Sequence, residues 1–271
     1  MNAFQAVVEG VLQGLTEFLP ISSTAHLRVY PAFFGWEDPG AAFTAVVQLG
    51  TMAAVLIYFR ADLWRIARAW LRGLRDPSVR HTLDSRMGWY IIIGTIPIGV
   101  FGLLFRDQIE TGARNLTVIG ITLIAFGLVL LFADRTATTE RDLRSITPRD
   151  GILIGFAQAL ALVPGVSRSG ATISGGLLLG FDRESAARYS FLLSVPSVVL
   201  SGLFELRKVG EGGGPGLAPT LIATLLAFVV GYAAIAWLLR WLVTHDLTVF
   251  VVYRIGLGIL VLALVAAGSI S

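Results

Sequence analysis

The stretch Glu9-Gly-Val-Leu-Gln13-Gly-Leu-Thr-Glu17-Phe-Leu-Pro20-Ile-Ser22-Ser23-Thr24-Ala-His26 decides how the chain is read. A spacing of four puts Glu9, Gln13 and Glu17 along one helical face. Pro20 ends that helix, so the three hydroxyls and His26 open a second one. Acid, amide, hydroxyl and imidazole therefore converge at one break in an otherwise apolar segment, residues 3–27. Such groups inside a membrane segment carry a large desolvation cost and mark functional sites. The purely structural alternative makes Ser22, Ser23 and Thr24 helix caps and sets the glutamates at the interface.

A second polar cluster interrupts residues 151–180 and reads Pro164-Gly165-Val166-Ser167-Arg168-Ser169-Gly170-Ala171-Thr172. A glycine-containing turn with two serines opening a helix suits an anion, because free N–H groups and the helix dipole face it. Arg168 adds a planar fork that matches phosphate oxygens. No Gly-Lys-Ser/Thr follows and the chain has no Cys, which excludes a Walker loop and a cysteine phosphatase loop. An ordinary kinked helix with one structural arginine is the alternative.

Working outward, the 271 residues are 55% hydrophobic and 14% charged, with a mean hydropathy of +0.76, which excludes a water-soluble enzyme. Gly (30) and Pro (10) lie within apolar runs, as in packed transmembrane helices. Zero Cys removes disulfides and thiolate catalysis, and His26, His81 and His245 are too scattered for a histidine metal cluster. Any metal is thus expected on oxygen ligands. A net charge of +3 gives no reason to expect a nucleic-acid partner.

Uncharged apolar stretches at 43–59, 89–105, 116–133, 189–204, 219–239 and 247–267 predict six transmembrane helices, and segments 3–27 and 151–180 predict two broken, re-entrant helix hairpins. The last stretch contains Arg254, expected to face a partner or wet cavity, to pair with a carboxylate or to snorkel. Glu9 and Glu17 interrupt what would be a signal peptide's apolar region, so the first segment is expected in the mature protein. Arg60, Arg65, Arg68, Arg72, Arg75, Arg80 and Arg86, with four further arginines between 134 and 150, place those two loops in the cytoplasm. The connections at 106–115 and 205–218 then fall outside. Pro20 and Ser23 precede Pro164 and Ser167 by 144 residues, each break followed by three spans. The expectation is an all-α polytopic membrane protein, a single domain over 1–271 in inverted-topology repeats, about 1–133 and 150–271. Such repeats bring discontinuous helices together near the midplane, where their exposed backbone forms a site.

A phosphate holder, carboxylates, a histidine and hydroxyls together meet the needs of phosphate-ester or phosphoanhydride hydrolysis. Inside a membrane, the phosphate is expected to be lipid-borne. A lipid-phosphate transporter or flippase would carry a similar site without hydrolysis, and a purely structural membrane protein leaves the clusters unexplained.

At these residues the chain resembles the bacterial undecaprenyl-diphosphate phosphatase, or bacitracin-resistance, family over essentially its whole length. Gln13-x-x-x-Glu17 matches the family's Glu/Gln-x-x-x-Glu motif, continued by Phe18 to His26. Residues 164–172 match Pro-Gly-x-Ser-Arg-Ser-x-x-Thr throughout. The resemblance implies six spans plus two re-entrant hairpins, and removal of one phosphate from the C55 polyprenyl diphosphate, regenerating the monophosphate for cell-wall synthesis with a divalent cation. The expected location is the bacterial inner membrane, as a multi-pass protein whose active site opens to the external face, the sidedness resting on the arginine-rich loops. Carried across by position, Glu17, Ser23, His26 and Arg168 are the expected catalytic residues, with Gln13, Ser167, Ser169 and Thr172 binding substrate. Mg²⁺ or Ca²⁺, both hard cations, would sit on Glu17 and Glu9, the latter compensating for Gln13, which cannot act as a base. The nucleophile is either Ser23, activated by His26, or a water deprotonated by His26 or Glu17. The expected partners are the bilayer and the polyprenyl diphosphate; a homodimer stays open.

Overall fold

The computed structural model describes residues 1–37, 40–105, 108–109, 115–205 and 216–270. Among them the chain forms α1 (Ala3–Phe18), α2 (Ser23–Phe34), α3 (Gly40–Tyr58), α4 (Arg60–Gly73), α5 (Leu83–Leu104), α6 (Leu116–Thr136), α7 (Pro148–Ala159), α8 (Arg168–Leu178), α9 (Arg183–Glu205), α10 (Leu217–Trp241) and α11 (Thr248–Ala266). The described residues hold no strand, only an isolated bridge between Arg141 and Phe181. The connections read as external, 106–115 and 205–218, fall largely outside the described residues.

Four helices, α5, α6, α10 and α11, are long and apolar enough to cross a membrane, and α3 with α4 makes a fifth if the pair, bent by 71°, counts as one span. The chain is therefore an all-helical, multi-pass membrane protein. Helix starts follow local sequence: Thr82 and Asn115 cap α5 and α6, and Thr147 with Asp150 forms a capping box before Pro148 at the first turn of α7.

Beside a core of large side chains such as Phe18, Phe59, Tyr189 and Phe191, the bundle is held by close helix seams. α1 runs along α10 through Gly10 and Gly14: a Cβ on Gly10 would lie 2.5 Å from the Ala223 carbonyl, and one on Gly14 2.8 Å from Val230 Cβ. α7 runs along α5 in the same manner, with a Cβ on Gly155 landing 2.5 Å from the Gly94 carbonyl. Both α1 and α7 thus present small residues four apart, which lets backbones approach where lipid removes any hydrophobic drive to associate. α6 and α11 form a third tight pair.

Ion pairs tie the helix ends that carry the arginine-rich loops. Arg188 of α9 reaches Asp62 of α4 (2.6 Å), Arg183 reaches buried Asp134 of α6 (2.6 Å), and Arg141 reaches Asp150 (2.7 Å). The last pairing holds the Arg141 guanidinium above its ordinary pKa, chiefly through its hydrogen bond to Asp150.

Candidate active site

The two breaks share one backbone device. α1 ends at Phe18, Leu19 is extended, and α2 begins at Ser23 behind an N-cap, Ser22, at φ 75°. α7 ends at Ala159, a 3-10 turn covers Leu160–Leu162, Gly165 turns at φ 86°, and α8 begins behind an N-cap, Ser167, at φ 73°. Each cap hydroxyl accepts from the backbone three residues on, Ala25 N–H at 3.4 Å and Gly170 N–H at 3.2 Å. Positive φ is disfavoured for L-residues, and in each case it reverses the chain so that a helix N-terminus starts at the break. The breaks touch directly: Ser169 Oγ donates to the Leu19 carbonyl at 3.0 Å.

Around this join the charged groups meet. Ser23 Oγ donates to Glu17 Oε2 at 2.8 Å, Gln13 Nε2 donates to the same oxygen at 3.2 Å, and Arg168 Nη2 reaches Glu17 Oε1 at 3.2 Å. Arg168 Nη1 donates to Ser197 Oγ at 3.3 Å, and that hydroxyl donates to Gln158 Oε1 at 3.2 Å. One carboxylate thus gathers a hydroxyl, an amide and a guanidinium from two parts of the chain 151 residues apart. Glu17, Ser23, Arg168 and Ser197 face a cavity of about 510 Å³. Its polar end carries Glu17, Ser22, Ser23, Thr24, Ser167 and Arg168, and its apolar walls come from α5 (Ile98, Gly99, Gly102), Leu162 and Leu200.

Of the residues expected at the site, Glu17, Ser23, Ser167 and Arg168 line the cavity, while Glu9, Gln13, His26, Ser169 and Thr172 are buried behind it. The capping alternative describes Ser22 but not Ser23, which bonds Glu17. His26 lies with Nδ1 2.7 Å from the Ser22 carbonyl and Nε2 2.6 Å from the Tyr253 hydroxyl. A carbonyl only accepts, so Nδ1 carries the proton and Nε2 takes the tyrosine's. Thr172, wholly buried, shares a 2.5 Å hydrogen bond with Ser190 of α9. Glu9 lies two turns before Glu17 on α1, about 12 Å along the axis at the rise of a helix. Sequence reasoning missed Gln158, Ser190, Ser197 and Tyr253. Ser190, Ser194 and Ser197 stand three or four apart, on one face of a span read simply as apolar.

The oxygens present suit a hard cation. Gln13 Oε1 is buried with no hydrogen-bond partner, and the Glu17 carboxylate and Ser23 hydroxyl adjoin that side chain. Among the described residues no three His, Asp or Glu side chains form a cage for an ion. The set therefore fits a cation that takes its remaining ligands from phosphate oxygens and water, as Mg²⁺ commonly does.

Fold and site together define a polytopic helical membrane protein whose polar cavity is built where two interrupted helices meet. The chain belongs to the family described as "Bacitracin resistance protein BacA", whose pattern matches residues 6–260. Among its relatives, a Nocardioides sp. protein named "Undecaprenyl-diphosphatase" is 58% identical over 272 residues, covering 100% of this chain and 99% of that one. Proteins of the same name from Thermobifida fusca (53% identical; 100% and 93% covered) and Myxococcus xanthus (52%; 100% and 92%) are also similar.

Proposed function

We propose that the chain is an undecaprenyl-diphosphatase, hydrolysing the membrane-borne polyprenyl diphosphate to its monophosphate and inorganic phosphate. The observation that carries this reading is the Ser23–Glu17–Arg168 contact at the polar end of a cavity with apolar walls, in a chain whose full-length relatives bear that name. The diphosphate lies at the polar end, and the polyprenyl tail runs along α5 past Gly99, where a Cβ would meet nothing within 4 Å, and Gly102, where it would meet only Leu162 Cδ2 at 3.8 Å.

In this mechanism Ser23 Oγ attacks the terminal phosphorus while its proton passes to Glu17 Oε2, already 2.8 Å away. The new Oγ–P bond forms as the bridging P–O bond breaks, and Glu17 returns the proton to the departing lipid monophosphate. Arg168 and the N–H groups opening α2 and α8 neutralise the transferring phosphoryl. Water, deprotonated by Glu17, then attacks the phosphoserine; the Oγ–P bond breaks, inorganic phosphate leaves, and Ser23 regains its proton. Ser167 contacts phosphate, whereas Gln13, Ser169, Thr172 and His26 position these groups from behind. Glu17, Gln13 and Ser23 would hold a Mg²⁺ or Ca²⁺ ion, with Glu9, two turns before Glu17, adding negative charge at a distance; bound there, the ion would offset charge on the diphosphate.

The reading extends to six spans with α1–α2 and α7–α8 as re-entrant hairpins of two inverted repeats forming a single domain. It is supported by the paired serine caps and the paired glycine seams. The arginine-rich loops then lie in the cytoplasm and the cavity opens to the external face of the inner membrane. The test is phosphate release from C55 polyprenyl diphosphate by the purified protein, with and without EDTA. One phosphate per lipid, lost with chelator, is expected. Lipid binding without release under any divalent cation would leave a carrier's site instead.

A further inference from the structure

Arg254 sits in the middle of α11, wholly buried, and the described residues give it no ion pair. Among the described residues, its hydrogen bonds all run to backbone carbonyls. Nη1 donates to Pro20 O at 2.9 Å, and Nη2 donates to Gly165 O at 2.9 Å and Val166 O at 3.0 Å; Nε adds a longer bond to Leu123 O at 3.4 Å. A helix interrupted inside a bilayer leaves carbonyls that neither water nor the next turn can satisfy. Most of the breaks' carbonyls find side chains from other elements: Leu19 O takes Ser169, Pro164 O takes Thr122, and Pro20, Gly165 and Val166 take Arg254, while Ser22 O takes His26 of the helix it caps. Arg254 alone in this set serves both breaks. Its planar fork, with five donors at fixed angles, suits that task and an ammonium does not.

We propose that Arg254 is a positioning residue, a staple that fixes the two helix breaks against each other and so sets the gap across which Arg168 meets Glu17. The neighbouring Tyr253 works on the same join, since its hydroxyl engages His26, which in turn holds the Ser22 carbonyl. Gly170 is part of the fit: a Cβ there would stand 2.8 Å from Arg254 Nη1. The catalytic consequence rests on the phosphatase reading; the mechanical one does not.

The experiment exploits a chain without cysteine. Spin labels on Thr24→Cys and Val163→Cys, one beside each break, report the gap. Labels on Leu15→Cys and Leu225→Cys, across the α1–α10 seam, serve as the control. Distances are measured with Arg254 intact, with Arg254→Lys and Arg254→Gln, and with Gly170→Ala, which keeps the arginine but crowds it. The expected result is a narrow Thr24–Val163 distribution that broadens in all three variants while the control stays unchanged. An unchanged gap overturns the staple, and so does equal broadening of both pairs, which marks general loosening. Should both Arg254 variants fail to fold, Gly170→Ala decides alone.

In unlabelled protein, Arg254→Lys should lower kcat about tenfold to a hundredfold with KM nearly constant, since misplacement of about 1 Å costs on that order. Combined with Arg168→Lys, the losses should fall short of multiplying, because both act on one geometry. Wild-type kcat in Arg254→Lys, or fully multiplicative losses, overturns the positioning role. If the unmutated protein releases no phosphate, the phosphatase reading fails while the distance measurement still judges the staple.

Discussion

The break after Phe18 and the break after Val163 have the same backbone and opposite chemistry. Each opens a helix behind a serine cap at φ near 75°. Directly after its cap, the first places Ser23, and the second places Arg168. The first also retains Glu17 on the helix before the break, where the second has Ala161 in a 3-10 turn. On the proposed mechanism neither break suffices alone: the first offers a hydroxyl and a carboxylate with nothing to neutralise phosphate, and the second a guanidinium with no carboxylate of its own. Two similar frames can thus diverge in their side chains while keeping the geometry that lets them meet.

The sharpest way to break that comparison is at the carboxylate both halves use. Glu17→Gln keeps the shape and the Ser23 hydrogen bond but removes the proton acceptor, so kcat should fall about 10²- to 10⁴-fold in a phosphate-release assay. Ser23→Ala should fall at least as far if serine is the nucleophile. A Ser23→Ala protein that keeps a tenth of the activity would assign the attack to water held by Glu17.

On the other side of the join, Arg168→Ala should cost on the order of a hundredfold, about 3 kcal/mol of barrier. Arg168→Lys should regain little, because a point charge cannot reach Glu17 and Ser197 in one plane as the guanidinium does. Recovery to near wild-type in the lysine protein would show that charge rather than direction matters at the second break.

How much of this was legible from sequence divides along physical lines. The breaks were legible because Pro20 and Pro164-Gly165 each precede a serine cluster that can open a second helix; proline alone is no such signal, since Pro31, Pro97 and Pro196 lie inside continuous helices. So were α3, α6, α10 and α11, within a few residues, and α5 apart from its first six, because a long apolar helix announces itself by length and hydropathy. The partner of each polar group was not. Ser23 pairs with Glu17 rather than His26, and His26 pairs with Tyr253, 227 residues away. Spacing put Ser23 and His26 within reach of each other on one helix and was silent about what packs against that face. Arg254 shows the same limit: its burial was expected to require a carboxylate, a wet cavity or an exit to the interface, and it ends on carbonyls that exist only because two distant helices are broken.

The glycine seams test whether the halves are as alike in packing as in backbone. A valine at Gly10 must displace the Ala223 backbone, and one at Gly155 must displace Gly94, with no flexible side chain to yield. Each substitution should destabilise by about 1–3 kcal/mol, read as a lower thermal midpoint in detergent. Equal drops would mark two equivalent seams. A drop at Gly10 alone would mean that α7 rests on α5 more loosely than the backbone likeness suggests.

The smallest expected effect lies at the caps themselves. A non-glycine residue in a sparsely populated conformation costs about 1–3 kcal/mol, whereas replacing a serine cap by glycine costs only a few tenths. Ser22→Gly and Ser167→Gly should therefore hold or slightly raise the thermal midpoint, while the alanine variants, which lose the cap and keep the strain, should lower it by about 1 kcal/mol. Activity should move the other way in the glycine proteins, falling severalfold, since the strained serine fixes where each helix N-terminus points. If glycine lowers the midpoint as much as alanine does, the positive φ carries little strain here, and the breaks are held by the side-chain bonds between them rather than by their own turns.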